Sequence, residues 1–194
     1  MNKTLFIVLS AFFCIVETEC LSAQNTGIKT NIIHWAVAGS FNGGLEFTLG
    51  RRTSLEFTGG YNPFTFQSHK KAKHWLIEPE LRLWTCETFD GHFFGVHCLA
   101  SQFNIGGFDI PVGRLSGLKD FRYAGYAFGG GLSYGYQWIL GPRWNFEINL
   151  GGGYAYLMYE KFNYDADEVK PVPNQKEHYF GITKAALSLI YFIN

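Results

Sequence analysis

Charge is what this chain has least of. Asp, Glu, Lys and Arg are 16% of 194 residues, 16 basic against 16 acidic, where soluble domains usually carry about a quarter. The formal net charge of zero excludes a nucleic-acid binder, which needs a basic excess to neutralise phosphates. Beyond the first segment no stretch reaches the ~18 consecutive apolar residues of a spanning helix, so a helical membrane protein is excluded. Cysteine is scarce, with Cys86 and Cys98 the two that lie beyond residue 20. What is abundant is aromatic side chains, 18%, and glycine, 23 residues. That mixture argues against a coiled coil, a disordered tail and a helical bundle, and the length allows one domain with a sizeable core.

The first segment reads as an address. Lys3 precedes the apolar run Leu5–Val16, which is too short for a bilayer helix of about 20 residues. Polar Glu17-Thr18-Glu19 and then Leu21-Ser22-Ala23-Gln24 follow. This is a signal peptide over residues 1–23, cut after Ala23, leaving a single domain over 24–194. A lipoprotein signal fits less well, because Cys20 follows Glu19 and Cys14 follows Phe13 rather than small residues.

The rest of the chain alternates. Trp144, Phe146, Ile148, Leu150, Gly152, Tyr154, Tyr156 and Met158 share one parity, while Asn145, Glu147, Asn149, Gly151, Gly153 and Ala155 share the other. Successive strand side chains point to opposite faces, so one face is apolar and the other polar or small. The pattern recurs and predicts eight strands, near 27–38, 42–50, 53–65, 73–86, 92–104, 122–139, 143–160 and 178–193. In 92–104 Phe93 and Phe94 open both parities, which leaves its facing open. Short turns at 50–52, 87–91 and 140–143 alternate with longer loops at 66–72, 105–121 and 161–177, as in an outer-membrane barrel. Leu49–Glu56 also resembles Leu140–Glu147, which places both turns on one rim.

Two barrels compete at this point. A soluble lipocalin-like barrel turns its apolar face inward to a ligand; a membrane barrel turns it outward. The polar face here is Gly, Ser, Thr, Asn and Glu with hardly any cation, whereas a water-facing surface mixes both signs densely. Trp75, Trp138, Trp144, Tyr61, Tyr123, Tyr154 and Tyr156 lie towards strand ends, where amphipathic rings favour a headgroup boundary. The expectation is an all-β, eight-stranded antiparallel up-and-down transmembrane barrel in the cell outer membrane, monomeric, with lipid and lipopolysaccharide as its surroundings.

Gly59-Gly60-Tyr61-Asn62-Pro63-Phe64, Lys73-His74-Trp75-Leu76, Pro79-Glu80-Leu81-Arg82, Gly91-His92-Phe93-Phe94-Gly95, Tyr134-Gly135-Tyr136-Gln137-Trp138 and Tyr179-Phe180-Gly181 together resemble a family of uncharacterised outer-membrane barrels common in Bacteroidetes. The resemblance implies an outer-membrane location. Some members are encoded beside fimbria assembly genes, which implies a surface-fibre context. It carries no catalytic residues.

On the polar face stand Glu46, Glu56, Glu78, Glu80, Arg82, Glu147 and Lys184, with His34 near them. Paired carboxylates can do acid–base work, but an eight-stranded barrel has room only for side chains, and buried charges there must be paired or protonated. Five carboxylates against two cations require that at least one Glu be neutral or bound to water. The set therefore reads as an interior polar network. Ser68, His69 and His74 with Asp109 or Asp120 would offer a hydrolase triad, as in lipid A-modifying barrels, yet nothing in their spacing is diagnostic. No catalytic set, cofactor or metal is assigned. Gly129–Gly131 and Gly151–Gly153 precede no helix and so are not phosphate loops; they read as strand positions crowded by backbone or rings. Lys70, Lys71 and Lys73 form the one basic run, a candidate lipopolysaccharide contact. The loops 105–121 and 161–177 are candidate surfaces for a surface-protein partner. Cys98 falls opposite roughly residue 80, too far from Cys86 for a bridge.

Overall fold

The computed structural model describes residues 26–36, 39–64, 71–107, 121–163 and 172–193. They form a closed barrel in which every strand pairs antiparallel with its sequence neighbours and the last pairs with the first. The strands are β1 (Thr26–Asn31), β2 (Phe41–Gly50), β3 (Thr53–Asn62), β4 (Lys71–Trp84), β5 (Gly91–Gly106), β6 (Phe121–Ile139), β7 (Trp144–Asn163) and β8 (Val172–Phe192). One short helix, α1 (Ile32–Ala36), stands between β1 and β2. The eight-stranded up-and-down architecture is the one that the alternation predicts. Its wall is uneven, from 6 residues in β1 to 21 in β8.

Parity explains the closure. On β7, Asn145, Glu147, Asn149 and Gly151 are buried while Trp144, Ile148 and Leu150 are exposed. The same division runs round the ring, so polar side chains meet inside and large apolar ones stand outside. Phe180 is 77% exposed and Leu132 68%. β8 keeps this rule through a bulge: Gly151 faces Lys184 and Gly152 faces Ile182, which leaves Thr183 over. The extra residue lets Lys184 point inward while Ile182 and Phe180 point outward.

Three expectations need correction or completion. The first strand was expected to run to 38, with Ile33, Trp35 and Val37 alternating; it stops at Asn31. The Asn31 side chain ends the ladder, accepting from the Leu187 N–H and donating to the Ala185 carbonyl. The same Oδ1 accepts from the Ile33 N–H and so caps α1. Segment 92–104 is resolved, with Phe93 inside and Phe94 outside. The segments 105–121 and 161–177, expected as loops, are partly strand, since β5 reaches Gly106, β7 reaches Asn163 and β8 starts at Val172. The long ends pair by backbone, which the apolar pattern does not report.

The short-turn rim is closed by an apolar cluster of Trp84, Phe89, Phe93, Ile190 and Phe192. Trp84 lies 4.7 Å from Phe93, and Phe89 lies 4.8 Å from Phe192, between ring centroids. Phe89 belongs to the β4–β5 turn and has φ +72°, a conformation costly for a bulky residue. Asn145 Nδ2 donates to its carbonyl at 3.1 Å, and its buried ring holds it there. Opposite, a Cβ on Gly135 would overlap the Phe93 ring, so the cluster needs glycine at that cross-strand position.

Candidate functional site

Above the apolar cluster the lumen is filled by charge. Glu46 on β2, Glu56 on β3, Glu80 and Arg82 on β4, Glu147 on β7 and Lys184 on β8 are all buried, and Lys29 on β1 joins them. Each is brought in by the strand alternation that sends its neighbours out. Glu78, the next inward residue of β4, is buried beside them.

Arg82 is the hub. Its Nε donates to Glu80 at 2.7 Å and its Nη1 to Glu46 at 2.9 Å and Glu147 at 2.7 Å. Nη2 reaches Glu147 at 3.1 Å and also pairs with Glu56. Lys29 Nζ donates to Glu147 at 2.9 Å, to Glu46 at 3.4 Å and to Glu56. Lys184 Nζ bridges Glu56 at 3.0 Å and Glu80 at 3.1 Å. Neutral donors finish the shell. Ser54 Oγ donates to Glu46 at 2.6 Å, Asn149 Nδ2 to Glu80 at 3.1 Å, and Ser133 Oγ also to Glu80. A Cβ on Gly95 would overlap the Glu80 carboxylate and the Ser133 hydroxyl, so the network occupies the space of a missing side chain.

Within this layer the ionic groups are partnered by one another. Oxygens of Glu46, Glu56 and Glu147 lie within 4.8 Å of one another, a spacing that suits a metal. Lys29 Nζ bonds all three, so an ammonium already fills that cradle. The cavity beside them, lined by Lys29, Asn31, His34, Glu56, Glu78 and Lys184, is about 20 Å³, space for about one water. His34, from α1, lies next to it, near Gly60 and half-buried. Burial first, and then the charges of His74 and Lys184, lower its pKa below the usual imidazole value.

All seven residues read from the sequence as an interior network point into the lumen. Lys29 was missed. Carrying the parity of Ile33 and Trp35 back through α1 puts Lys29 on the apolar face; the helix breaks that parity. The apolar Ile28 beside it and the shortage of cations on the polar face were the available signals. Glu56 and Glu147, equivalent in the two similar hairpins, both meet Lys29 and Arg82. Of the basic run, Lys71 opens β4 and Lys73 is exposed, while Lys70 lies outside the described residues. Ser68, His69, Asp109 and Asp120 lie outside them too; His74 lies on β4 and hydrogen-bonds the Ala72 carbonyl at 3.0 Å. Cys86 and Cys98 are free thiols, both exposed.

Fold and site together define a closed antiparallel barrel with ionic groups inside and apolar groups outside. The chain belongs to the family described as protein of unknown function (DUF3575), whose model matches residues 6–193. Comparison with curated proteins gives no match.

Proposed function

We propose that the protein is an outer-membrane barrel acting without catalysis, as a structural or surface-interaction element of the cell envelope. One observation carries the reading: the outer wall is apolar where a water-soluble barrel would be charged. Ile77, Leu81, Val96, Leu132, Leu150, Phe180 and Ile182 are all exposed, far more contiguous apolar surface than a soluble monomer tolerates. The sealed lumen argues against a soluble carrier, because the space an apolar ligand would need is taken by ion pairs. Among the described residues no helix is long and apolar enough to cross a membrane. In this reading the strands cross, in a ring that closes so that backbone groups are paired. The signal-peptide reading and the motif resemblance to Bacteroidetes barrels supply the compartment and the fimbrial context.

On this reading the start of β1, the end of β8 and the short turns face the periplasm, and the opposite strand ends face outward. Lys73, exposed two residues from Trp75 on β4, then stands at the level of lipopolysaccharide phosphates. The loops 105–121 and 161–177 remain our candidates for a surface-protein contact; residues 108–120 and 164–171 of them lie outside the described residues.

The test is cell fractionation with gel mobility. The protein should sediment with outer membranes and run faster unboiled than boiled. Leu150→Arg, on the outer wall, should cost about 2–4 kcal/mol of folding stability in vesicles. A protein found free in the periplasm, with a silent Leu150→Arg, would overturn the reading.

A further inference from the structure

The outer wall carries the same side-chain arrangement twice, and the interior network does not explain it. On β5, His92 and Phe94 face outward, and they pair across the strand with Tyr136 and Tyr134 of β6. On β8, His178 and Phe180 face outward, and they pair with Tyr156 and Tyr154 of β7. The bonds match as well as the register. Tyr134 Oη lies 2.6 Å from His92 Nδ1, and Tyr154 Oη lies 2.6 Å from His178 Nδ1. The rings match too. His92 meets Tyr136 edge-on at 4.5 Å, and His178 meets Tyr156 at 5.2 Å. Phe94 closes on Tyr134 at 5.3 Å and Phe180 on Tyr154 at 4.9 Å. Each exposed imidazole is thus clasped by two tyrosines and flanked by a phenylalanine.

The two clasps stand towards opposite ends of the barrel. His92 is the second residue of β5, next to the short-turn rim; His178 is seven residues into β8, which starts at the long-loop rim. Tautomer chemistry gives them a direction. A tyrosine hydroxyl donating into Nδ1 fixes the remaining ring proton on Nε2. With the tyrosine hydroxyl as donor, each exposed imidazole carries its proton on Nε2, the nitrogen that the tyrosine does not engage. At a lipid boundary the rings suit the ester region, and the N–H needs an oxygen acceptor.

We propose that the two clasps are lipid headgroup sites, one per leaflet, in which Nε2–H of His92 and of His178 donates to a phosphate oxygen of a bilayer lipid. The proposal rests on the membrane reading above and deepens it. The upper clasp has a further element: Lys176, exposed and the next outward residue of β8 towards the long-loop rim, adds a cation that the lower clasp lacks among the described residues. The His178 site therefore holds phosphate more tightly, and salt weakens it.

Ring-¹⁵N-histidine protein in phosphatidylglycerol bilayers tests this by nitrogen–phosphorus dipolar dephasing. Two Nε2 signals, both protonated, should dephase against lipid phosphorus. His92→Phe and His178→Phe, which keep ring volume, should each remove one. Retention of phosphatidylglycerol in native mass spectra should fall about fivefold per site lost, the worth of one hydrogen bond. Tyr154→Phe serves if a histidine variant misfolds: it frees the tautomer, and the His178 dephasing should weaken. Failure to insert into bilayers overturns the membrane reading itself. Insertion with no dephasing, or dephasing that persists in the His92→Phe/His178→Phe double variant, overturns the headgroup sites alone.

Discussion

The barrel fills one lumen with two materials. Below, at the short-turn rim, Trp84, Phe89, Phe93, Ile190 and Phe192 make a dry apolar plug. Above it Lys29, Glu46, Glu56, Glu80, Arg82, Glu147 and Lys184 make an ionic layer, nearly as buried. The apolar plug relies on contact and area, which are non-directional, so one apolar group substitutes for another at modest cost. The ionic layer relies on matched partners, and each removal strands others away from water. One end is therefore tolerant and the other is all-or-none. The ionic layer also ties together strands that are far apart in sequence: β1, β2, β3, β4, β7 and β8 each contribute a charged member.

Breaking the ionic layer should have the largest effect. Arg82→Met removes the one group shared by Glu46, Glu56, Glu80 and Glu147. Stranding partners of a buried pair costs about 3–5 kcal/mol, a large part of the 5–15 kcal/mol that usually separates folded from unfolded domains. Urea titration followed by the fast-migrating gel band should show a much lower midpoint, or no folded band. A loss under about 1 kcal/mol would mean that the layer behaves like surface ion pairs, and the contrast with the plug would fail.

The plug should yield less to an equally blunt change. Phe93 has no measurable exposure and packs on Trp84, with the Arg82 guanidinium 4.3 Å above its ring. Phe93→Leu keeps an apolar body in the lumen, so the expected loss is about 1–2 kcal/mol. The same titration reads it. A loss equal to that of Arg82→Met would show that the plug needs this ring's shape, and that its tolerance is illusory.

The two layers were not equally legible in the sequence. Acids and bases announce themselves one by one on the polar parity, so Glu46, Glu56, Glu78, Glu80, Arg82, Glu147 and Lys184 could be placed without coordinates. Lys29 could not, because a capped helix, not a strand, follows Asn31, and parity does not survive the change. The plug was hidden for another reason. Phe93, Ile190 and Phe192 are apolar residues on the polar parity, and a face-by-face reading treats such residues as noise or ambiguity. Trp84 follows Arg82 on the inward parity, yet nothing local says that a tryptophan there is dry. Phe89 enters the lumen from a turn in a left-handed conformation, which no periodicity encodes. The eight strands were readable because the alternation is repeated, and β6 was placed to within a residue; the upper end of β8 was not, because Asn174, Gln175, Lys176 and Glu177 are polar on both parities.

The seam between the layers offers the smallest and sharpest test. Trp84 belongs to the plug by its ring and to the ionic layer by its indole N–H, which donates to Ser54 Oγ at 2.9 Å. Ser54 in turn donates to Glu46 at 2.6 Å. A tryptophan suits a boundary of this kind, with an apolar body and one polar handle. Trp84→Phe leaves the packing on Phe93 and Phe89 and removes only the handle and part of the ring. Ser54 keeps its own donor bond to Glu46, so no buried donor is stranded, and the expected loss is about 1 kcal/mol. Ser54→Ala should cost more, because Glu46 loses a partner. If the seam couples the layers, the double variant should be less destabilised than the sum of the singles by about 0.5–1.5 kcal/mol. Strict additivity in that cycle would mean that plug and ionic layer stand side by side without communicating. The choice of tryptophan at residue 84 would then reflect volume alone.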